Sequence, residues 1–281
     1  MGHPRKHFRL SLTPTVISLR DRWLAAWRRR RWRGFARVWG ALREGSSTIR
    51  CRTRYGSVFA LEPLAYIDGL VIEEGYYESE VLEALRPSLH AGVVLWDIGA
   101  NFGLHAATAA WLVPDATVVA FEPNPEEHTR LLLHRAWNAP QLITSSLALS
   151  DTAGVLPLHI GPKGNSGMTS LTPWFSNTYA GTVLVSVDTG DSLIARGIVP
   201  APTAIKLDVE GHESSVLRGL SAALAHPRCT LVVFEDDLRN DSPTKKILRA
   251  AGFTFELLPR LEHSEHALAN FAARKPVKSR T

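Results

Sequence analysis

Short hydrophobic runs alternate with amphipathic segments through the middle of the chain. The runs predict strands at 93–98, 117–121 and 142–149, and the segments between them predict helices at 103–112 and 125–138. Strands separated by helices form βαβ units, and such units build a parallel sheet with helices on both faces. The pattern therefore predicts an α/β domain.

A polar interval at residues 152–190, rich in Gly, Pro, Ser, Thr and Asn, interrupts this alternation. It contains a candidate hairpin at 154–160 and a candidate strand at 182–187, and its length and polarity favour a lid or substrate loop. The other predicted elements are short strands within 48–59 with a turn near Gly56, a helix at 79–89, strands at 203–208, 229–235, 253–258 and 266–272, and helices at 213–224 and 243–251.

Charge is distributed unevenly along the chain. Residues 1–54 carry fifteen Lys and Arg against two acids, a net charge of +13, whereas the remainder carries −8. Tryptophans recur among the arginines of residues 20–40 at roughly helical spacing, which is typical of a basic amphipathic helix on an anionic membrane or along nucleic acid. A partly disordered arm, or a helix whose tryptophans pack on the body, is the alternative. We therefore divide the chain into an arm, 1–45, and a domain, 46–275.

The chain has no apolar run near the roughly 18–20 residues that cross a bilayer, and no apolar core followed by a cleavage site. Its two cysteines, Cys51 and Cys229, are far apart and fit no zinc or redox spacing. We expect a cytoplasmic protein, and peripheral contact of residues 20–40 with a membrane surface is one of the interpretations of its arm.

The segment WDIGANFG, residues 96–103, lies where a predicted strand meets a predicted helix. A P-loop requires a Lys after its last glycine and a dinucleotide fingerprint requires G-x-G-x-x-G, so the spacing Gly99-x-x-x-Gly103 fits neither phosphate motif. Asp97 would repel a pyrophosphate but can accept hydrogen bonds from an amine or a hydroxyl. The turn is therefore predicted to hold a cofactor with a cationic, amino-acid-like end.

Two further acids follow the next two predicted strands. Glu122 ends the second strand, where a carboxylate can accept hydrogen bonds from both hydroxyls of a ribose. Asp151 follows the third strand, where the amino group of an adenine would lie. Together with Asp97 they outline a nucleoside joined to something other than a pyrophosphate, and S-adenosylmethionine fits that outline.

These segments resemble the FkbM-type S-adenosylmethionine-dependent methyltransferases. The resemblance rests on WDIGANFGLHA, VVAFEPNPE, LALSD followed by Gly154, GNSGMTSL, VDTGDSL, IKLDVEGHESSVLRGL and LVVFE, in family order over residues 93–235. IKLDVEGHE is the most specific of them. The resemblance implies a class I methyltransferase Rossmann-like sandwich, with a seven-stranded, mostly parallel sheet and an antiparallel last strand, and methyl transfer most often to a hydroxyl oxygen.

The resemblance also implies where the cofactor lies. The implied cofactor-binding residues are Asp97, Gly99, Asn101 and Gly103 around the methionine moiety, Glu122 and Asn124 at the ribose, and Ser150 and Asp151 at the adenine.

Candidate catalytic residues follow the predicted fourth strand. Asp208 ends that strand and is predicted to lie beside the transferring methyl group. His212 is the candidate general base near neutral pH, and a solvent-exposed residue at a helix start is the alternative. Glu210 is the third candidate, although the helix macrodipole would favour both Glu210 and Glu213 there without a catalytic role.

Acids at 208 and 235–237 leave a magnesium mechanism open, because a hard cation bound by carboxylates can hold substrate oxygens and lower their pKa. A solvated loop or a helix cap is the alternative for residues 235–237, and no residue is assigned as a metal ligand.

The main functional hypothesis is an O-methyltransferase acting on a hydroxyl of a small metabolite, sugar or glycan. An RNA methyltransferase anchored by the basic arm is the first alternative, and the acidic body argues against nucleic acid. A catalytically inactive membrane-surface protein with a methyltransferase fold is the second.

Overall fold

A computed structural model describes residues 48–173, 178–259 and 268–276. The arm at 1–45 and the membrane contact through residues 20–40 lie outside the described residues.

Seven strands form the central sheet, in the order β11-β12-β10-β9-β3-β4-β5. Their bounds are β3 Val94–Ile98, β4 Thr117–Phe121, β5 Ile143–Ser145, β9 Ala204–Leu207, β10 Leu231–Asp237, β11 Thr254–Leu257 and β12 Leu268–Arg274. The five strands from β10 to β5 are parallel, and β12 is antiparallel to both of its neighbours. The predicted sheet, with its antiparallel last strand, is confirmed.

Burial on both faces explains why the strands appear as continuous hydrophobic runs. In β3, Leu95 packs into one hydrophobic core and the next residue, Trp96, packs into a second core on the opposite face of the sheet. Successive side chains of a strand point to opposite faces, so a strand covered on both sides carries apolar residues at consecutive positions, as Leu95 and Trp96 do.

Helices connect the strands and cover the sheet. Their bounds are α1 Tyr66–Glu74, α2 Ser79–Leu85, α3 Leu104–Leu112, α4 Pro125–Asn138, α5 Gly190–Ala195, α6 Glu213–Arg218, α7 Ser221–Ala225 and α8 Pro243–Ala250, with 3₁₀ turns at Arg86–Ser88 and Ser166–Met168. Helices α1 and α5 were not predicted. The predicted helix at 213–224 divides into α6 and α7 near Gly219, where a side chain would meet the Ser150 carbonyl oxygen at 1.9 Å. No helix among the described residues is long and apolar enough to cross a membrane.

A second sheet of three strands takes two of its strands from the interval predicted as a loop and the third from the residues just before it. It contains β6 Ala148–Leu149, β7 Gly154–Ile160 and β8 Gly181–Asp188, in the order β6-β8-β7. The candidate hairpin at 154–160 was wrong, because β7 is one strand that pairs antiparallel with β8. Leu158 of β7 and Val185 of β8 form a small core of their own, which requires this longer-range pairing.

The N-terminal side of the domain begins with a hairpin, as predicted. Strand β1, Ile49–Arg52, pairs antiparallel with β2, Val58–Leu61, and the turn contains Gly56.

Candidate active site

A cavity of about 460 Å³ lies at the carboxyl ends of β3, β4, β9 and β10. Gly99 lines it after β3, Glu122 after β4, Asp208 after β9, and Glu235 near the end of β10. Open parallel sheets bind ligands at this edge, and the volume falls within the roughly 300–1,000 Å³ of small-molecule sites.

The turn after β3 needs its glycines and strains one other residue. Gly99 has φ +78°, and a Cβ there would stand 1.7 Å from the Asp208 carbonyl oxygen. Gly103 has φ +90° and begins α3 as its N-cap. Between them Asn101 adopts a left-handed φ of 52°, and its side-chain oxygen accepts a hydrogen bond from the Phe102 amide at 2.8 Å. Gly99 and Asn101 line the cavity.

The Glu122 carboxylate links the turn to the end of β4. Its Oε2 accepts a hydrogen bond from the Asn101 amide at 2.7 Å, and its Oε1 accepts one from the Asn124 amide at 2.8 Å. Burial raises the pKa of Glu122 to about 7, although both hydrogen bonds favour the ionised form. Each oxygen keeps a second lone pair. Asn124 caps α4 by accepting a hydrogen bond from the Glu126 amide, and it does not line the cavity.

Asp97 lies beneath the turn, beside a buried lysine. Lys206 Nζ donates to the Gly99 carbonyl oxygen at 3.0 Å and to Asp208 Oδ2 at 3.1 Å, and it lies 3.5 Å from Asp97 Oδ1. Burial would lower the pKa of Lys206, but the charges of Asp208 and Asp97 outweigh burial and raise it. Burial raises the pKa of Asp97, and Lys206 opposes that shift. Asp97 therefore supports the turn from below and does not line the cavity.

His212 lines the cavity and is half-buried. Its Nε2 lies 3.0 Å from Ser150 Oγ, and its Nδ1 lies 3.0 Å from Thr172 Oγ1. Burial lowers the pKa of the imidazole. Asp151 is exposed, accepts a hydrogen bond from Arg218 Nε at 3.0 Å, and is not among the residues that line the cavity.

Several carboxylates converge on the part of the cavity where β9 and β10 end. Oxygens of Asp208, Glu210 and Glu235 lie within 4.8 Å of one another. Burial, followed by the charges of Asp208 and Glu235, raises the pKa of Glu210 to about 9. Glu213 instead accepts hydrogen bonds from two backbone amides at the start of α6, as expected of a helix-start residue.

The structure corrects the acidic group considered for magnesium. Asp236 accepts a hydrogen bond from Ser242 Oγ, and Asp237 is paired with Arg239 at 2.6 Å. Both side chains are thus engaged by neighbouring residues, and the N-cap of α8 is Ser242 rather than either acid. Glu210 takes their place beside Asp208 and Glu235.

The N-terminal segment contributes cavity residues that sequence reasoning missed. Tyr66, Tyr77 and Glu78 line the cavity from α1 and from the start of α2. Their only signal was a polar and aromatic group just before a predicted helix. Lys206 was also missed, although it lies within the most specific segment of the resemblance.

The segment between β7 and β8 lies along the cavity and contacts both the turn after β3 and the acidic residues. Residues 165–171 line the cavity. Ser166 Oγ donates to Asn101 Oδ1 at 3.2 Å, and Ser170 Oγ donates to the Glu210 carbonyl oxygen at 2.6 Å. Hydrogen bonds thus connect this segment to the turn and to the acidic residues.

The strand order, the antiparallel last strand and the glycine turn beside Glu122 together define a class I S-adenosylmethionine-dependent methyltransferase. The chain belongs to the FkbM methyltransferase family, since the model of the methyltransferase FkbM domain matches residues 97–258. The resemblance stated from the sequence is confirmed, and the protein is a methyltransferase that uses S-adenosylmethionine.

Similar proteins include the hexuronic acid methyltransferase AglP of Haloferax volcanii, which is 29% identical over 217 residues, 76% of this chain and 86% of AglP. Among solved structures, the precorrin-6Y C5,15-methyltransferase of Geobacter metallireducens is 16% identical, with a TM-score of 0.45, over 70% of this chain and 86% of that one. The magnesium protoporphyrin IX methyltransferase of Synechocystis PCC 6803, solved with bound S-adenosylmethionine, is 12% identical, with a TM-score of 0.44, over 75% of this chain and 84% of that one.

Proposed function

We propose that the protein transfers the methyl group of S-adenosylmethionine to a hydroxyl of a sugar. The observation that carries the proposal is the group of carboxylates, Asp208, Glu210 and Glu235, that shares one cavity with the Gly99 turn. Carboxylates accept hydrogen bonds from hydroxyl groups, so this half of the cavity suits a polyhydroxylated acceptor. The similarity to a methyltransferase of hexuronic acids supports the same acceptor class.

The cofactor half of the cavity fits S-adenosylmethionine. The free lone pairs of Glu122 suit the ribose hydroxyls, and the turn from Gly99 to Asn101 suits the methionine moiety. Leu147 and Leu149 provide an apolar wall for an adenine ring. The role of Asp151 at the adenine stays a prediction, and Ser150 is proposed to act through His212.

S-adenosylmethionine supplies a methyl group on a positively charged sulfur, and an acceptor oxygen displaces that sulfur in line. Asp208 is paired with Lys206, which suits it to hold the acceptor hydroxyl by a hydrogen bond. His212 has a hydroxyl within hydrogen-bonding distance of each ring nitrogen. We therefore propose that His212 orients the cavity wall, and its role as general base stays a prediction.

Magnesium is an alternative for the acidic group. Three carboxylates within 4.8 Å are a ligand set that a hard divalent cation accepts. Without such an ion, the charges of Asp208 and Glu235 would repel the carboxylate of a uronic acid. A neutral sugar therefore fits the group without metal, and a uronic acid fits it with a bound cation.

The test compares methyl glucoside with methyl glucuronide as acceptors, in EDTA and in magnesium, by the release of S-adenosylhomocysteine. We expect turnover of the neutral sugar in EDTA. Turnover of the glucuronide that requires magnesium would support the metal arrangement instead. If neither sugar, nor a wider set of hexosides, is methylated while the cofactor binds, the sugar proposal is wrong.

Membrane contact through residues 20–40 is a separate proposal, supported by the net charge of +13 over residues 1–54. It predicts co-sedimentation with anionic vesicles but not with neutral ones. The interaction should disappear when residues 1–45 are deleted. Equal binding of the truncated chain would contradict it.

A further inference from the structure

Among the residues that the structure describes, three that are not glycine have a positive φ: Glu78, Asn101 and Glu210. All three line the cavity. A left-handed backbone is unfavourable for a side chain as long as that of Glu, and such strain persists only where the surroundings enforce it. The coincidence of strain and cavity therefore marks Glu78 as a residue whose position matters to the site.

Contacts from other elements hold Glu78 in place. Its carbonyl oxygen, at the start of α2, accepts a hydrogen bond from the Val81 amide at 3.0 Å and lies 3.3 Å from His105 Nε2. Its Oε1 accepts a hydrogen bond from Asn270 Nδ2, on β12, at 3.3 Å. The backbone of Glu78 is thus held from α3, and its carboxylate is held from the central sheet.

We propose that Glu78 is the catalytic base that removes the proton of the acceptor hydroxyl. The proposal rests on the proposed transfer to a hydroxyl. Glu78 lies outside residues 97–258, so the match to the family does not extend to it.

The carboxylates of Glu78 and Asp208 have different neighbours, which suits the two residues to different roles. Asp208 has its Oδ2 held by Lys206, whereas Glu78 is held by the neutral amide of Asn270. Burial and the charge of Asp208 raise the pKa of Glu78 to about 7, and Lys206 opposes that shift. A base works best when its pKa lies near the working pH. The ionisable groups that interact with the Glu78 carboxylate through their charge are Asp208, Lys206, Glu80, Glu210 and Tyr77, and the His105 imidazole lies against its carbonyl oxygen.

In the transfer step, the proton of the hydroxyl passes to the Glu78 carboxylate. The oxygen electron pair forms the new bond to the methyl carbon, and the electron pair of the broken carbon–sulfur bond stays on sulfur. Glu78 then releases its proton to solvent, so acceptor and cofactor yield methyl ether, S-adenosylhomocysteine and one proton.

The test compares Glu78→Gln with Glu80→Gln, a matched control. Glu80 is buried on the same helix and accepts from the same Asn270 amide, but it does not line the cavity. With a sugar that the wild-type protein methylates as the acceptor, we expect Glu78→Gln to lower kcat about 100-fold. Affinity for S-adenosylhomocysteine should stay within about threefold of wild type, and Glu80→Gln should keep about a third of kcat or more.

The pH profile and thermal stability separate a base from a structural role. The wild-type kcat should fall as the pH drops below about 7, because the base must be ionised, and Glu78→Gln should lose that inflection. Glu78→Asn should melt no lower than wild type, because Asn tolerates a left-handed backbone, yet be inactive. A purely structural Glu78 predicts the reverse, a lower melting temperature with kcat per folded molecule retained.

A loss of kcat below tenfold in Glu78→Gln, or a loss of S-adenosylhomocysteine binding, overturns the proposal; a larger loss with binding retained supports it. If the wild type binds S-adenosylhomocysteine but methylates no sugar, the proposed function fails separately. Carbon-13 NMR of the glutamate carboxyls then tests whether Glu78 can act as a base. A carboxyl signal missing from Glu78→Gln that titrates near 7 and shifts with S-adenosylhomocysteine supports the base, and titration at an ordinary glutamate pKa overturns it.

Discussion

Single residues at the carboxyl end of β3 determine whether the turn from Gly99 to Gly103 can form. The backbone of Gly99 approaches the end of β9 so closely that even one methyl group has no space. The same approach brings the Gly99 carbonyl oxygen to Lys206, which also neutralises Asp208. Close backbone contact and one buried cation therefore connect the turn after β3 with the acidic residues of the cavity.

Gly99→Ala should destabilise the protein far more than Gly92→Ala. Both glycines have a left-handed backbone, with φ of +78° and +82°, but a Cβ at position 92 meets nothing within 4 Å. We expect Gly92→Ala to cost about 1–2 kcal/mol from backbone strain alone. Gly99→Ala should cost about 1–3 kcal/mol more from the clash. Urea unfolding measures both, and equal losses would contradict the close approach.

Lys206→Met should lower the free energy of unfolding by about 3–5 kcal/mol at pH 8, because it leaves the buried Asp97 carboxylate without a counter-charge. Lys246→Met is the control, since Lys246 forms an exposed pair with Asp241 and should cost under about 1 kcal/mol. Urea unfolding again measures both variants. If Lys206→Met loses no more unfolding free energy than Lys246→Met, the buried pair of Lys206 and Asp97 does not stabilise the turn.

At the scale of elements, helix α4 joins the N-terminal hairpin to the cofactor turn through a buried histidine. His134 Nε2 accepts a hydrogen bond from the Ala60 amide of β2 at 3.0 Å, and its Nδ1 donates to the Phe102 carbonyl oxygen at 2.7 Å. This pair of contacts requires a neutral imidazole with one donor and one acceptor nitrogen. Burial accordingly lowers the pKa of His134 to about 4.

This requirement predicts acid destabilisation that depends on His134. The unfolded chain binds a proton at this histidine near pH 6.5. The stabilisation from the neutral, buried imidazole is therefore complete above pH 6.5 and is lost as the pH falls from there towards 4. The loss in the free energy of unfolding is on the order of 3 kcal/mol. Melting temperatures between pH 7.5 and 4.5 should fall less steeply in His134→Gln than in wild type. The exposed His90→Gln should keep the wild-type slope, and an unchanged slope in His134→Gln would contradict the prediction.

At the scale of the whole molecule, the central sheet was predictable because strands buried on both faces leave short apolar runs in the sequence, as at residues 93–96. The turn was predictable because the spacing of its glycines and the preceding Asp97 are local in sequence. Glu78 and Tyr77 were not, because tertiary packing brings them to the cavity from a segment that precedes the motif. The second sheet was missed for a related reason, since β7 finds its partner beyond a long polar segment.

The central claim is that this cavity binds S-adenosylmethionine with Glu122 at the ribose. Calorimetry with S-adenosylhomocysteine tests it most directly, on wild type, Glu122→Ala and the exposed neighbour Glu126→Ala. We predict about micromolar binding for wild type and Glu126→Ala, and a loss of about 2 kcal/mol or more, roughly 30-fold, for Glu122→Ala. A wild-type protein that binds neither S-adenosylmethionine nor S-adenosylhomocysteine, or a Glu122→Ala variant that binds as tightly as wild type, would contradict the claim.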